Sequence, residues 1–283
     1  MVRFAVRQDR TGDQRLKEPR SDDTGRANAR PQGIGTPDRS GQTVKTGNMT
    51  NLHDQRTPIN RYASAEEWRA VDDYFVATLV PEDDALVAAR ESGVKTTMPN
   101  AEVAPNQGAL LGLIAQIAGA RRILEFGTLA GYSTIWFARA VGESGRVVTL
   151  ELEASNAALA AENIQRAGVG ERVDIVVGLA VESAHQLIRD NVEPFDFVFI
   201  DADKPSNPQY LAAAIELTRS GAVIVIDNVV RDGAVARADS DDPRVQGVRT
   251  VLEDIRDNPD LDATALQTVG IKGWDGLLLA RRR

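Results

Sequence analysis

The chain has no cysteine among its 283 residues. This excludes disulfide scaffolds, thiolate-bound zinc, iron–sulfur clusters and a cysteine nucleophile. Nothing in such a chain requires an oxidising compartment, so a cytoplasmic location is expected. Histidine is almost as scarce, with only His53 and His185. A multi-histidine metal centre is therefore excluded, and a Ser-His-Asp triad would have to draw on one of these two. No stretch approaches the roughly 18 consecutive apolar residues of a membrane span, so no membrane role is expected. An excess of positive charge is also missing: 33 basic residues face 41 acidic ones, for a net charge of −8. Nucleic acid is not the expected partner, because phosphate backbones are bound by concentrated positive charge. The chain is 42% hydrophobic and contains 23 glycines. That composition suits a globular enzyme acting on a small molecule, and the length is enough to bury a sizeable core.

The charge is unevenly spread. Residues 1–48 hold 10 Lys and Arg against 6 Asp and Glu, leaving 23 against 35 for the rest, so the balance changes sign near Lys45. Few residues there suit a core, and the stretch 1–55 reads as a disordered tail, with a basic partner-binding arm as the alternative. It lacks the apolar centre of a secretory signal and carries Asp9, Asp13, Asp22 and Asp23, unlike a transit peptide. Met49 offers a second candidate translation start. One catalytic domain is expected over 56–283.

Behind a Ser64 cap, Trp68, Val71, Tyr74, Phe75 and Leu79 recur at helical spacing and predict a covering helix with that stripe turned to the core. A second helix opens at Pro81 and a third spans 106–119. From there strands and helices alternate, with strands at 121–126, 146–151, 172–177, 195–201 and 222–227. The strands are continuous apolar runs, as expected where helices cover both faces. A helix over 243–258 and two short strands, 263–268 and 276–279, flank the turn-rich GIKGWDG. The pattern predicts an α/β, doubly wound, Rossmann-like fold. Its seven-stranded sheet is mostly parallel with a C-terminal antiparallel hairpin, helices lie on both faces, and extra N-terminal helices cover it.

Open parallel sheets bind ligands beyond the carboxyl ends of their strands. The first strand runs into Glu125-Phe126-Gly127-Thr128-Leu129-Ala130-Gly131-Tyr132-Ser133. Its glycines permit close backbone approach to a ligand, and Ser133 stands at a helix start that favours an anionic group. The second strand ends in Glu151, 24 residues after Gly127, where an acid can accept from the two hydroxyls of an adenosine ribose. Taken singly, the turn is also compatible with a plain tight connection, and the acid with a solvated strand end. The dinucleotide fingerprint G-x-G-x-x-G is absent, since Leu129 occupies its second glycine. That favours S-adenosylmethionine, which has no bridging pyrophosphate, over a nicotinamide cofactor.

The fourth strand ends in Asp201-Ala202-Asp203-Lys204 and the fifth in Asp227-Asn228. Oxygens from Asp201, Asp227 and Asn228 make a hard donor set suited to Mg²⁺, with Mn²⁺ or Ca²⁺ as alternatives. An Asp-Asn pair alone is also compatible with simple loop capping. Lys204 favours the metal reading, because a lysine beside a dication is pushed towards its neutral form and so suits a general base. The bland alternative is a solvated lysine balancing Asp203.

With LEFGTLAGYSTIWFARAV, RVVTLELE, FDFVFIDADK and VIVIDNVV in this order, the chain resembles the cation-dependent O-methyltransferases, the group of catechol and caffeoyl-CoA O-methyltransferases. The resemblance covers roughly residues 95 to 281. It implies metal binding by Asp201, Asp227 and Asn228, and Lys204 as the catalytic base. The family's cofactor positions fall on Val103, Glu125, Gly127, Thr128, Ser133, Glu151, Ala180 and Asp203. The implied reaction is in-line methyl transfer from S-adenosylmethionine to one hydroxyl of a small catechol-like acceptor, and a homodimer is also implied. Two positions depart from the pattern. Arg231 stands where relatives often carry an aromatic, and Trp274-Asp275-Gly276 stands where the hairpin often reads GDG. Arg231 would suit an acidic acceptor, or is simply solvated. No residues match those with which plant relatives hold CoA, so a free small phenol is expected. Two rivals remain at this point: an NAD(P)-dependent oxidoreductase, and a methyltransferase-like binding protein without catalysis.

Overall fold

Asp83 caps a helix that packs on two other helices, its Oδ1 accepting from the Leu86 N–H at 3.0 Å. That bond satisfies one of the free donors of α2 (Asp84–Ser92). The computed structural model describes Arg3, Phe4, residues 65–80 and residues 82–283. The rest of the expected tail, with His53 and Met49, lies outside the described residues. Besides α2, the helices are α1 (Ala65–Leu79), α3 (Pro105–Ile117), α4 (Tyr132–Ala140), α5 (Ala154–Arg166), α6 (Ala180–Arg189), α7 (Asn207–Leu217) and α8 (Pro243–Asp257). The strands are β1 (Arg3–Phe4), β2 (Arg122–Phe126), β3 (Arg146–Glu151), β4 (Val173–Val177), β5 (Phe195–Ile200), β6 (Thr218–Asp227), β7 (Leu261–Gly270) and β8 (Gly273–Arg282).

The strand order is β1-β4-β3-β2-β5-β6-β8-β7. From β4 to β6 all neighbours are parallel, while β8 runs antiparallel to both β6 and β7. The seven expected strands are thus β2 to β8, in the expected mostly parallel arrangement. The two-residue β1 adds an eighth, antiparallel to β4. The strand order reverses between β2 and β5, and a doubly wound sheet opens its ligand crevice at such a point.

Alternate residues of the central strands feed two cores. Leu124, Phe126, Val198, Ile200, Ile224 and Ile226 pack with α7 and α8 residues such as Leu211, Leu217, Val248 and Val251. Ile123, Val147, Phe197, Phe199 and Val225 pack on the other face with Leu111, Ile135, Phe137 and Ile164. Each such side chain contributes roughly 1.5–3 kcal/mol when fully buried, which explains why these strands show no polar alternation. One exception stands out in β2, where Glu125 occupies a position facing α4.

Two expectations are corrected. The stripe on α1 does not turn inward: Val71, Tyr74, Phe75 and Leu79 are all exposed, Tyr74 by 67% and Leu79 by 72%. A polar anchor sets the helix's orientation instead. Asp72, the buried residue of α1, accepts from Asn106 Nδ2 at 2.9 Å and from the Ile271 N–H at 2.7 Å. The hairpin is also longer than the turn residues suggested. Gly270 pairs with Gly273 and Gln267 with Gly276, so only Ile271 and Lys272 make the turn and Trp274-Asp275-Gly276 belongs to β8. Gly276 is required there, because a Cβ would fall 2.3 Å from the Leu266 carbonyl oxygen.

Helix α8 packs directly on the turn that carries Lys204. A Cβ on Gly247 would fall 2.1 Å from the Lys204 carbonyl oxygen. Helix propensity alone favours Gly247→Ala by about 1 kcal/mol. The backbone clash reverses that sign, and a net loss on the order of 2 kcal/mol is expected in urea unfolding. A stabilised variant would show that α8 does not press on this turn.

Candidate active site

The loop after β2 is built around two carboxylates. Glu151, at the end of β3, accepts through Oε2 from the N–H groups of Thr128 and Leu129 at 3.1 and 2.8 Å. Its Oε1 accepts from the Glu153 N–H and from Asn156 Nδ2. The acid expected to hold a ribose thus also shapes the loop, which bends through Gly127 (φ 95°), Leu129 (φ 51°) and Gly131 (φ 81°). Gly131 caps α4, leaving the first N–H groups of that helix directed at the crevice.

Glu125 has no exposed surface. Ser133 Oγ donates to its Oε1 at 2.6 Å, and Thr134 Oγ1 and Thr149 Oγ1 donate to its Oε2 at 2.5 and 2.8 Å. The Thr128 hydroxyl donates in turn to Thr149 at 2.6 Å. Three of the expected cofactor residues, Glu125, Thr128 and Ser133, are therefore linked in one buried network. Burial outweighs the hydroxyl donors and pushes the Glu125 carboxyl up to about 7.

The second half of the site lies at the ends of β5 and β6. Lys204 Nζ donates to Asp201 Oδ1 at 2.8 Å, and Lys204 is only 6% exposed. Asp227, 5% exposed, accepts from the Asn228 N–H at 2.8 Å through Oδ1 and from Gln107 Nε2 at 2.8 Å through Oδ2. Burial first, then the charge of Asp201, push its carboxyl up to about 7, against the pull of Lys204. Asn228, half-buried, follows in the left-handed region at φ 57°. The two halves meet through backbone: the Asp201 N–H donates to the Phe126 carbonyl at 2.9 Å, and Gly127 lies against the Asp201 carbonyl.

Three expected positions stand outside these two networks. Asp203 is exposed, and its carboxylate caps its own turn, accepting from the Ser206 N–H and Oγ and from the Tyr210 hydroxyl. Ala180 is the first residue of α6, one connection beyond β4. Val103 is buried just before α3. Among the described residues no group of three or more His, Cys, Asp or Glu side chains forms a metal cage. The oxygen donors here are two acids and an amide, with Lys204 closing on one of the acids.

The family model for O-methyltransferases matches residues 77–283. The chain belongs to the O-methyltransferase family. It is 48% identical over 213 residues to a catechol O-methyltransferase of Niastella koreensis, covering 75% of this chain and 96% of that protein. It is 50% identical over 210 residues to a catechol O-methyltransferase of Mycobacterium tuberculosis, covering 74% and 94%. A solved O-methyltransferase from Bacillus cereus in complex with SAH superposes with a TM-score of 0.76 at 49% identity, covering 78% of this chain and all of that one. As an O-methyltransferase, the chain is not a nicotinamide oxidoreductase.

This O-methyltransferase also uses residues that sequence reading left without a role. Asp275 Oδ1 accepts from the N–H groups of Val230, Arg231 and Gly276 at 3.0–3.1 Å, holding the loop that leaves Asn228. In that loop Arg231, Asp232 and Gly233 all have positive φ, and Trp274 packs over Gly233. Gln107 and Thr149 had no local signal, since their partners are distant in sequence or across a strand pair. Thr134, at least, stands beside Ser133 on the helix start.

The network around Glu125 gives a signed pH dependence. Its folded carboxyl titrates at about 7 against an ordinary 4.5. Below about 4.5 both states hold the proton and there is no penalty. Between 4.5 and 7 the unfolded chain releases it and the folded one does not, so stability falls as pH rises, by on the order of 3 kcal/mol in all. In urea unfolding of chelated protein from pH 4.5 to 8, Glu125→Gln should flatten this fall, leaving the share due to Asp227. An unchanged slope would show that Glu125 ionises freely in the folded state.

Proposed function

We propose that this O-methyltransferase transfers the methyl group of S-adenosylmethionine to one hydroxyl of a small catechol-like acceptor, assisted by a divalent cation, preferably Mg²⁺. The observation that carries this reading is the meeting of the glycine loop with Asp201, Lys204, Asp227 and Asn228 across Gly127. The names of the relatives support it. Two are catechol O-methyltransferases, and solved relatives were obtained with SAH or, for TomG from Streptomyces achromogenes at 46% identity, with SAM.

The donor set suits a hard cation. Two carboxylates crowd together at the ends of neighbouring strands, one of them pushed up to about 7 by burial and by the other's charge. A positive ion between them relieves both effects, and the ligands on offer are oxygens only. Asp201, Asp227 and Asn228 would hold it. When bound, such an ion supplies Lewis acidity to an acceptor hydroxyl and a fixed point for a vicinal pair.

The chain's own residues do the rest. Glu151, beside the loop it shapes, accepts from the ribose of the donor, and the start of α4 faces the donor's carboxylate. Lys204 Nζ, held in place by Asp201 at 2.8 Å, takes the proton from the acceptor hydroxyl. The oxygen then forms a bond to the methyl carbon as the carbon–sulfur bond breaks, leaving S-adenosylhomocysteine and a protonated Lys204. Alignment of the two reactants in a closed crevice supplies most of the acceleration. A cytoplasmic location accords with the lack of cysteine, and no described helix is long and apolar enough to cross a membrane.

We also propose a homodimer. Val71, Tyr74, Phe75 and Leu79 of α1 and Leu110, Leu113 and Ile117 of α3 are all exposed, and grouped exposed apolar side chains of this kind suit a surface between two copies of the chain.

Three measurements check these readings. Methylation of a catechol should stop in chelator and return with Mg²⁺; full activity in chelator removes the cation. Lys204→Met should lower kcat by at least about 100-fold while S-adenosylhomocysteine affinity by calorimetry stays within about twofold; wild-type turnover removes the base. In light scattering, Tyr74→Glu with Phe75→Glu should halve the particle mass; wild-type particles already at 30.6 kDa would remove the dimer.

A further inference from the structure

Gln107 has no part in the chemistry described so far, yet its side chain reaches Asp227, the buried acid that ends β6. It is the third residue of α3, a helix that gives the acid cluster nothing else. Its Nε2 donates to Asp227 Oδ2 at 2.8 Å across a separation of 120 residues. The other oxygen, Oδ1, accepts from the Asn228 N–H. One donor on each oxygen fixes the rotation of the carboxylate about its Cβ–Cγ bond.

Gln107 is itself held from behind. Its N–H donates to Asn106 Oδ1 at 3.0 Å, Asn106 Nδ2 donates to Asp72 Oδ1, and the Ile271 N–H donates to Asp72 Oδ2. An unbroken run of bonds thus joins the hairpin turn, α1 and the start of α3 to Asp227. A surface glutamine needs no such support.

We propose that Gln107 is a positioning residue that sets the orientation of Asp227 towards the divalent cation, an inference that rests on the cation reading above. The amide donates and carries no charge. It therefore occupies one face of Oδ2 without competing for the ion, and leaves the remaining lone pairs aimed at the ends of β5 and β6. Outer partners of this kind typically alter metal affinity by roughly 10- to 100-fold. A merely structural hydrogen bond would instead show itself as lost folding and lost kcat.

The test uses the full chain, stripped of metal and titrated with Mn²⁺ while free ion is followed by electron paramagnetic resonance. Gln107→Met keeps the length and removes the donor. Its Mn²⁺ affinity should fall about 10-fold, with a matching rise in the Mg²⁺ concentration giving half-maximal methyl transfer. Its kcat at saturating Mg²⁺ and its KM for S-adenosylmethionine should stay within about twofold of wild type, since this residue touches neither reactant. Unchanged Mn²⁺ affinity in a folded Gln107→Met protein overturns the proposal, as does a fall in kcat that excess Mg²⁺ does not restore. Should that variant not fold, Asn106→Ala, which frees Gln107 from its support, carries the test: a several-fold weaker Mn²⁺ affinity supports the role, and an unchanged one overturns it. Absence of Mn²⁺ binding in the wild type removes the cation reading itself, and this role with it.

Discussion

At the reversal of strand order, the backbone of Gly127 leaves no space for a side chain: a Cβ there would stand 2.2 Å from the Asp201 carbonyl oxygen. Everything that makes this crevice a site follows from that contact. It brings the turn leaving β2 against the turn leaving β5, so the loop shaped by Glu151 and the acids around Lys204 share one space. The positive φ of Gly127 excludes other residues on conformational grounds as well. A doubly wound sheet supplies the crevice in general terms; here one missing methyl sets how closely its two sides approach.

The interior carries an electrostatic cost in return. Glu125 and Asp227 are carboxyls that burial disfavours as ions, and neither strengthens the fold by itself near neutral pH. Glu125 is retained among three hydroxyl donors that fix the start of α4. Asp227 is retained beside Asp201, where repulsion between like charges creates a demand for a positive partner. Functional sites concentrate such locally unfavourable groups because the surrounding packing is strong enough to hold them. The two apolar cores on either side of the sheet provide that packing.

The strands and their carboxyl ends were legible because apolar runs broken by Gly, Asp and Asn report burial and turning locally. Glu151, Asp201, Lys204, Asp227 and Asn228 could be picked out for the same reason: each sits where a readable strand stops. The orientation of α1 was not legible. Helical spacing identifies a stripe but does not say which way it turns, and a single buried aspartate decided it. The length of the hairpin was hidden by Gly270, Gly273 and Gly276, all three of which pair within strands. Gln107 was invisible because its partner lies 120 residues away, and no periodicity encodes such a distance. Glu125 was marked only by the family resemblance, and its three hydroxyl partners come from another strand and a helix.

The hairpin also imposes an order on synthesis. Strand β8 is made after β7 yet lies between β7 and β6, paired with Leu277 opposite Asp227. A nascent chain that has emerged only as far as β7 therefore has β6 as an open edge, and β7 has nothing to join. The loop leaving Asn228 waits as well, since the carboxylate that gathers its N–H groups belongs to Asp275. The reactive end of the sheet is thus completed only when β8 joins β6, after every other strand of the described sheet has been made.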